Sequence, residues 1–242
     1  SGSDGSFIEI GADGAFFSPD ASPITVNGGN ATASVTTGQV GGAGGDIFVG
    51  TGIPTGGALA DGAYIRVYDN SDFTANGGDG TNGAGLAGGG DGGDITFFTN
   101  GDDSDVLIQS DLFANGGDAS GIGTGILNFV GNGGAGGNVT VEVDASGAVD
   151  LANDPASELD EGVDIWVQSI EANGGNVNDT TNGDGSGFGG NGGSIHLHVD
   201  GDNDGDRGNV IVSGTLDANG GNTASEITTD QGGDGGSIYA QA

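Results

Sequence analysis

The sequence predicts an all-β fold: a right-handed parallel β-helix, a solenoid of about five three-stranded turns with glycine-rich insertions at one corner. One observation is an Asn-Gly-Gly anchor with copies at Asn27, Asn76, Asn115, Asn173 and Asn219. Another is a Gly-Gly-x-Gly-Gly anchor with copies at Gly41, Gly89, Gly133, Gly189 and Gly232. The third is the period-two apolar pattern of the short segments between anchors. Because such repeats share one continuous core, we expect a single domain over residues 1–242.

Three strand-like segments recur, each bounded by Gly, Asp or Asn. The first class follows the double-glycine anchor: Ile47–Val49, Ile95–Phe98, Val139–Val143, Ile195–Val199 and Ile238–Ala242. The second class comprises Phe7–Ile10, Tyr64–Tyr68, Val106–Gln109, Ile165–Gln168 and Val210–Val212. The third class leads into Asn-Gly-Gly: Ile24–Val26, Phe73–Ala75, Leu112–Ala114, Ile170–Ala172 and Leu216–Ala218. A one-residue slip would invert every face, so this agreement predicts one inward face for each class.

The classes occur in the order second, third, first. The repeat is therefore predicted to be permuted, with an incomplete first turn and an incomplete last turn. Insertions of variable length lie between the two anchors: residues 30–40, 79–88, 118–132, 176–188 and 222–231. We expect them to leave and rejoin one corner as loops, their glycines being either packed as extended strands or mobile.

The charge balance restricts the partners. The formal net charge is −33, from 35 acidic residues against the basic Arg66 and Arg207. Nucleic acid and anionic membranes would repel this surface. No apolar run approaches the ~18 residues of a transmembrane helix, so no membrane insertion is expected. Ser1 opens a chain without methionine, and we interpret this as a secreted, extracellular or cell-surface chain whose signal peptide has been removed.

The repeat resembles the bacterial extracellular proteins built from glycine-rich β-helix repeats. The resemblance is carried by Gly-Gly-x-Gly-Gly-Ser-Ile with Ala-Asn-Gly-Gly, at Gly189–Ile195 with Glu171–Gly175 and at Gly232–Ile238 with Asp217–Gly221. Similar architectures include pectate-lyase-like enzymes and haemagglutinin-type adhesin passengers. The resemblance covers nearly the whole chain and implies architecture, since a fold alone does not transfer an activity.

An acidic connection is the candidate metal site. Asp200, Asp202, Asp204 and Asp206 alternate with Gly and Asn, as at the start of an EF-hand loop. Clustered oxygen donors suit Ca²⁺, although Ile211 stands where an EF-hand has its bidentate Glu. The alternative is a solvated acidic turn. Calcium is therefore the one cofactor that the sequence suggests.

Other polar and apolar positions have structural interpretations. The five anchor asparagines, Asn27, Asn76, Asn115, Asn173 and Asn219, should stack as a side-chain amide ladder. His196 and His198 point outward together, and surface histidines are favoured over a metal pair because no third ligand is visible. Several outward positions are apolar and are expected to be covered by insertions or by subunit contacts: Phe48, Phe98, Leu107, Phe113, Trp166 and Tyr239.

An enzyme is not expected. The chain has no lysine, and Arg66 and Arg207 are the sole candidates for the basic residue that lyases of similar architecture use. Paired carboxylates are uninformative in a chain this acidic.

The sequence favours a structural subunit of an extracellular filament or matrix fibre. We expect identical subunits to polymerise head-to-tail, the last strand of one copy completing the opening turn of the next. The residues expected to carry this contact are Phe7, Ile8, Ile10, Ile24, Val26, Ile238, Tyr239 and Ala240. The alternatives are an adhesin that presents its variable insertions to a receptor or glycan, and a surface-layer protein that assembles laterally.

Overall fold

The structure of the chain is a computed structural model. It describes all residues except 13, 34–38, 53–62, 83–86, 102–103, 122–130, 145–163, 180–186, 201–207 and 224–230. Within the described residues the fold is all-β, with 22 strands and no helix. The strands form five sheets in which neighbouring strands are parallel and in register. This architecture is consistent with a parallel β-helix or solenoid.

Sheet one has six strands. They are β1 (Ile8–Ala12), β6 (Ile47–Thr51), β11 (Ile95–Asn100), β15 (Val139–Asp144), β19 (Ser194–Asp200) and β22 (Ser237–Gln241). We call each strand of sheet one, together with the anchor segment before it and the strands that follow it, a layer. The sixth layer contributes β22 to sheet one and no strand to any other sheet of the described chain.

Sheets two and three have five strands each. Sheet two contains β2 (Ala15–Ser18), β7 (Tyr64–Val67), β12 (Asp105–Ile108), β16 (Asp164–Val167) and β20 (Asn209–Val212). Sheet three contains β3 (Ile24–Thr25), β8 (Phe73–Thr74), β13 (Leu112–Phe113), β17 (Ile170–Glu171) and β21 (Leu216–Asp217). The three sheets enclose a single aliphatic core, because alternate β-branched and aliphatic side chains point inward on every strand.

The inward side chains of the middle layers are shielded from solvent. Representative inward residues such as Ile65, Ile108, Val141 and Ile195 are completely buried, as the alternation predicts. Two aromatic rings widen it locally, since Phe73 and Phe97 pack edge-to-face with centroids 4.9 Å apart.

One predicted strand, in the first layer, belongs to a different sheet than the sequence indicates. Phe7–Ile10 was predicted to be a second-class strand, but Ile8 pairs with Ile47 and Ile10 with Val49, so this segment belongs to sheet one. The second strand of the layer is Ala15–Ser18, where Phe16 pairs with Ile65. Strands therefore follow one another in the order first, second, third from the opening layer onward, and the predicted permuted order is wrong.

The insertions contain strands of their own. A fourth sheet consists of β4 (Ala31–Ala33), β9 (Gly80–Asn82), β14 (Ala119–Gly121) and β18 (Val177–Asp179). A two-stranded sheet pairs β5 (Gln39–Val40) with β10 (Ala87–Gly88). Three insertion glycines, Gly80, Gly88 and Gly121, therefore lie in strands, although these strands are of mixed composition and are not polyglycine.

Candidate assembly surfaces

The two anchors lie against each other and form a continuous line of backbone hydrogen bonds. The N–H of Gly78 donates to the carbonyl of Gly42 at 2.8 Å, Gly90 donates to Gly78 at 2.9 Å, and Gly117 donates to Gly90 at 2.8 Å. The same alternation continues through later layers to Gly233. We call this line the glycine spine. It joins every layer to the next at the corner where the insertions leave the core.

Glycine is required in the spine because two backbones meet there without room for a side chain. A Cβ built on Gly90 would lie 2.0 Å from the carbonyl oxygen of Gly42, and one on Gly117 would lie 2.2 Å from that of Gly78. Real Cβ atoms essentially never approach a heavy atom within 3.0 Å. The recurring double glycines therefore reflect close backbone packing.

The five anchor asparagines stack along one edge of the molecule. The side-chain Oδ1 of Asn27 accepts the backbone N–H of Asn76, and the same 2.8 Å bond links Asn76 to Asn115, Asn115 to Asn173 and Asn173 to Asn219. The side-chain amides supply the acceptors of this ladder, and backbone N–H groups supply the donors. Each asparagine thus satisfies a backbone N–H that the glycine-rich corner leaves without a sheet partner.

A parallel ladder lies three residues farther along each layer, and the sequence analysis missed it. Its members are Asn30, Asp79, Asp118, Asn176 and Asn222. Each Oδ1 accepts the backbone N–H of the next member at 2.7–2.9 Å. The signal was present, because each of the five Asn-Gly-Gly anchors is followed directly by Asn or Asp.

Both ladders run in the same direction, which makes the ends of the described stack different. A side-chain oxygen of one layer always accepts from the following layer. At one end, Asn219 and Asn222 accept no such bond among the described residues. At the other, the backbone N–H groups of Asn27 and Asn30 donate none. One end presents acceptors and the other presents donors.

The apolar core reaches the surface at both ends. Ile238 on β22 is 49% exposed, whereas its neighbour in sheet one, Ile195, is completely buried. At the opposite end Ile8, Ile10 and Ile24 are half-buried. The predicted contact residues occupy these two ends: Phe7, Ile8, Ile10, Ile24 and Val26 at the β1 end, and Ile238, Tyr239 and Ala240 at the β22 end. Val26 is 5% exposed and so contributes little surface.

The outer faces carry aromatic and apolar columns. His196 and His198 stack with ring centroids 5.8 Å apart, and His196 also packs edge-on against Tyr239 at 4.9 Å. On sheet two, the outward column Phe17, Arg66, Leu107, Trp166 and Ile211 ends in Phe17 at 49% and Ile211 at 44% exposure. The apolar residues between these ends are half-buried.

The acidic candidate site lies largely outside the described residues. Asp200 ends β19, and Asp202, Asp204 and Asp206 fall in the segment 201–207. Among the residues that the structure describes, no group of three or more His, Asp or Glu side chains could hold a metal ion. The acidic residues beside the anchors instead serve the backbone: Asp46 accepts the N–H of Asp94, and Asp94 that of Asn138.

Comparisons with protein-family models, with curated proteins and with solved structures gave no match. The described ranges contain no helix that is long and apolar enough to span a membrane.

Arg66 lies 4.8 Å above the ring of Tyr64, so this cation is engaged with an aromatic face on the outside of sheet two. The features that recur through the layers are therefore the spine, the ladders and the core.

Proposed function

We propose that the chain is the structural, non-enzymatic subunit of an extracellular filament or matrix fibre. It is a right-handed β-helix of about five turns that polymerises head-to-tail with identical copies. Such a contact joins two different surfaces, so it propagates into a fibre and does not close into a dimer. Calcium binding at Asp200–Asp206 is part of the same proposal, as a means of offsetting the acidic surface.

The exposure of Ile238 is the observation that carries the proposal. This side chain continues the column Ile47, Ile95, Val139 and Ile195, each member of which is at most 1% exposed. Covering its exposed half would stabilise a contact by about 1 kcal/mol, and the neighbouring apolar atoms of the same end would add to this. A surface that continues the core is most simply covered by another layer of the same kind.

The hydrogen-bonding groups of the two ends support the same contact. Asn219 and Asn222 offer side-chain oxygens at one end, and Asn27 and Asn30 offer backbone N–H groups at the other. A second copy that continues the stack would pair these groups as the ladders pair them within the chain. Open parallel edges invite such pairing unless something covers them.

The test is electron microscopy of the purified 242-residue chain and of variants of its last strand. We expect fibres from the unmodified chain and monomers after deletion of Ser237–Ala242. Ile238→Asp should also prevent assembly, because it places a charge on the inward column. Gln241→Asp is the matched control, since this side chain points outward on the same strand and should leave the fibres intact. Long fibres from the deletion variant would overturn the proposal.

A surface-layer role is the second candidate, favoured by the exposed ends of the sheet-two column. Phe17 and Ile211 expose nearly half of their surfaces on an outer face, where lateral contacts would form. Two-dimensional sheets in the same micrographs, lost in a Phe17→Ser/Ile211→Ser variant, would select this alternative. A monodisperse monomer would favour the adhesin.

A further inference from the structure

The glycines of the double-glycine anchor face two different neighbours. At the second and fifth positions a Cβ would meet the preceding layer: on Gly90 it would lie 2.0 Å from the carbonyl oxygen of Gly42, and on Gly93 it would lie 2.0 Å from that of Gly45. At the first position a Cβ would meet the Asn-Gly-Gly corner of the same layer, as Gly89 does at 1.7 Å from Gly117. At the fourth position it would meet the end of sheet three in that layer. A glycine at the second or fifth position therefore indicates contact with a preceding layer, and a glycine at the first or fourth position indicates contact with the corner of the same layer.

The first layer lacks the glycines that a preceding layer would require. Gly2 and Gly5 occupy the first and fourth positions, where a Cβ would lie 1.8 Å from the carbonyl oxygen of Gly29 and 2.0 Å from that of Val26. The second and fifth positions are Ser3 and Ser6. A layer added beneath β1 with the spacing of the others would bring a carbonyl oxygen onto each serine Cβ. In-register stacking beneath β1 is therefore blocked.

The anchor of the sixth layer shows the opposite pattern. Gly232 and Gly235 stand at its first and fourth positions, although the described chain contains no Asn-Gly-Gly corner in that layer. A Cβ on Gly232 would find its nearest heavy atom, the oxygen of Gly221, at 3.1 Å, and one on Gly235 would find the oxygen of Ala218 at 3.8 Å. Both positions therefore have room for a corner packed as in the other layers.

The corner in Val26–Gly29 fits this space, and Gly2–Ala12 now occupies the place beside it. We propose that Gly232–Ala242 of one copy displaces Gly2–Ala12 of the next copy and packs in its place. This strand exchange rests on the head-to-tail assembly proposed above. It explains how the stack can continue although Ser3 and Ser6 block simple addition.

The incoming segment matches its place in polar chemistry. Ser237 would replace Phe7, which is 61% exposed and has no hydrogen-bonding group in its side chain. The N–H of Asp46 donates no hydrogen bond among the described residues, whereas the corresponding N–H groups of Asp94 and Asn138 each donate to a side chain of the preceding layer. Ser237 would place a hydroxyl oxygen, which can accept a hydrogen bond, beside this N–H group, where Phe7 offers none.

The outward face of the site also favours the exchange. Glu9 pairs in register with Phe48 and lines a cavity together with the carboxylates of Asp46 and Asp94. Tyr239 would replace Glu9, which removes one negative charge from this group and places two aromatic rings side by side.

One inward position opposes the exchange. Ala240 would replace Ile10 beside Val49, which leaves less aliphatic volume in the core. β1 therefore fits the core better than the incoming segment does, and it stays in its place in the single copy. Assembly should consequently be slow and should require displacement of β1.

The first test is a substitution that affects only the exchanged state. Gly235→Ala places a methyl group where the single copy has room, but where a second copy would present the oxygen of Val26. We expect unchanged thermal unfolding and loss of assembly. Asp234→Asn is the control, because Asn191 holds the equivalent position and its Oδ1 accepts a backbone N–H there, and it should assemble normally. Normal assembly of Gly235→Ala would overturn the exchange.

The second test is a disulfide bond that holds β1 in place and can be reduced. Glu9 and Phe48 are in-register outward neighbours, about 4.8 Å apart between Cα atoms, so E9C/F48C can form a disulfide in this cysteine-free chain. We expect assembly of the reduced protein and none of the oxidised protein. T140C/H196C, which joins two inner layers in the same register, should assemble in both states.

The outcomes separate the two proposals. Fibres from oxidised E9C/F48C would overturn the exchange and leave the fibre function standing. No fibres from any variant or from the unmodified chain would overturn both. Mixing F48C chains with Y239C chains should also yield a covalent dimer in the exchanged state. A dimer from E9C with Y239C chains instead would indicate stacking beneath β1 and contradict the exchange.

Discussion

Gly134→Ala should destabilise the fold far more than a single methyl group normally does. The new Cβ would lie 1.9 Å from the carbonyl oxygen of Gly90 and 2.4 Å from its carbonyl carbon, both backbone atoms of a packed layer. Relieving the contact to the 3.0 Å limit requires a displacement of about 1 Å between the two layers. No flexible side chain is available to move instead.

That displacement breaks the spine between Gly134 and the layer of Gly90. The N–H of Gly134 donates to Gly117 in that layer at 3.0 Å, so an added ångström takes this bond beyond hydrogen-bonding distance, whereas the bond from Gly175 lies within the layer of Gly134 and is not stretched. Losing the bond and leaving its two groups buried costs about 2–3 kcal/mol. For a chain of this size the midpoint of thermal unfolding should fall by roughly 4–12 °C.

Circular dichroism during heating, with urea unfolding as a second probe, measures the effect. Gly11→Ala is the matched control, because a Cβ at Gly11 meets nothing within 4 Å and Phe98 occupies the equivalent position two layers away. A Gly134→Ala midpoint within about 2 °C of the control would refute the claim that the spine needs glycine.

Three further outcomes are expected. Thr99→Val should raise the unfolding midpoint by a few degrees in calorimetry, because the Thr99 hydroxyl is buried without a hydrogen-bond partner and pairs in register with Val143; an unchanged or lower midpoint would contradict this. Asn115→Ala should cost about 1–2 kcal/mol in urea unfolding because the N–H of Asn173 loses its acceptor, whereas Asn219→Ala should cost little in the monomer; equal losses would argue against the ladder. Raising NaCl from about 0.01 M to 1 M should raise the midpoint of the monomer, since a charge of −33 repels itself at low salt, and a salt-independent midpoint would show that this repulsion is unimportant.

The sequence predicts the three main sheets well because β-branched residues alternate strictly between glycine anchors. The same reasoning fails at Phe7–Ile10, where the preceding anchor reads Gly-Ser-Asp-Gly-Ser and lacks its double glycines. Without that marker, Ala15–Ser18 was overlooked and Phe7–Ile10 was assigned to the wrong sheet. Ser3 and Ser6, which replace two of the anchor glycines, make the repeat hard to recognise in the sequence. The same two serines block stacking at this end of the molecule.

The fourth sheet escaped prediction for a different reason. Its strands, such as Ala31–Ala33 and Ala119–Gly121, are three residues long and built from small residues with little intrinsic preference for strands. They form because the spine holds successive layers in register. The asparagine stack was foreseeable from spacing alone, whereas its backbone donors depend on where the glycine corner leaves N–H groups unpaired.

The glycine spine also has a mechanical consequence. Every second hydrogen bond of the spine joins consecutive layers, as the hydrogen bonds of the flanking sheets do. Tension along the axis loads all bonds between two layers simultaneously, so the body should resist stretching until a whole interface ruptures. Pulling the polypeptide by its termini loads the layers one after another, and single-molecule force spectroscopy should record a series of small steps.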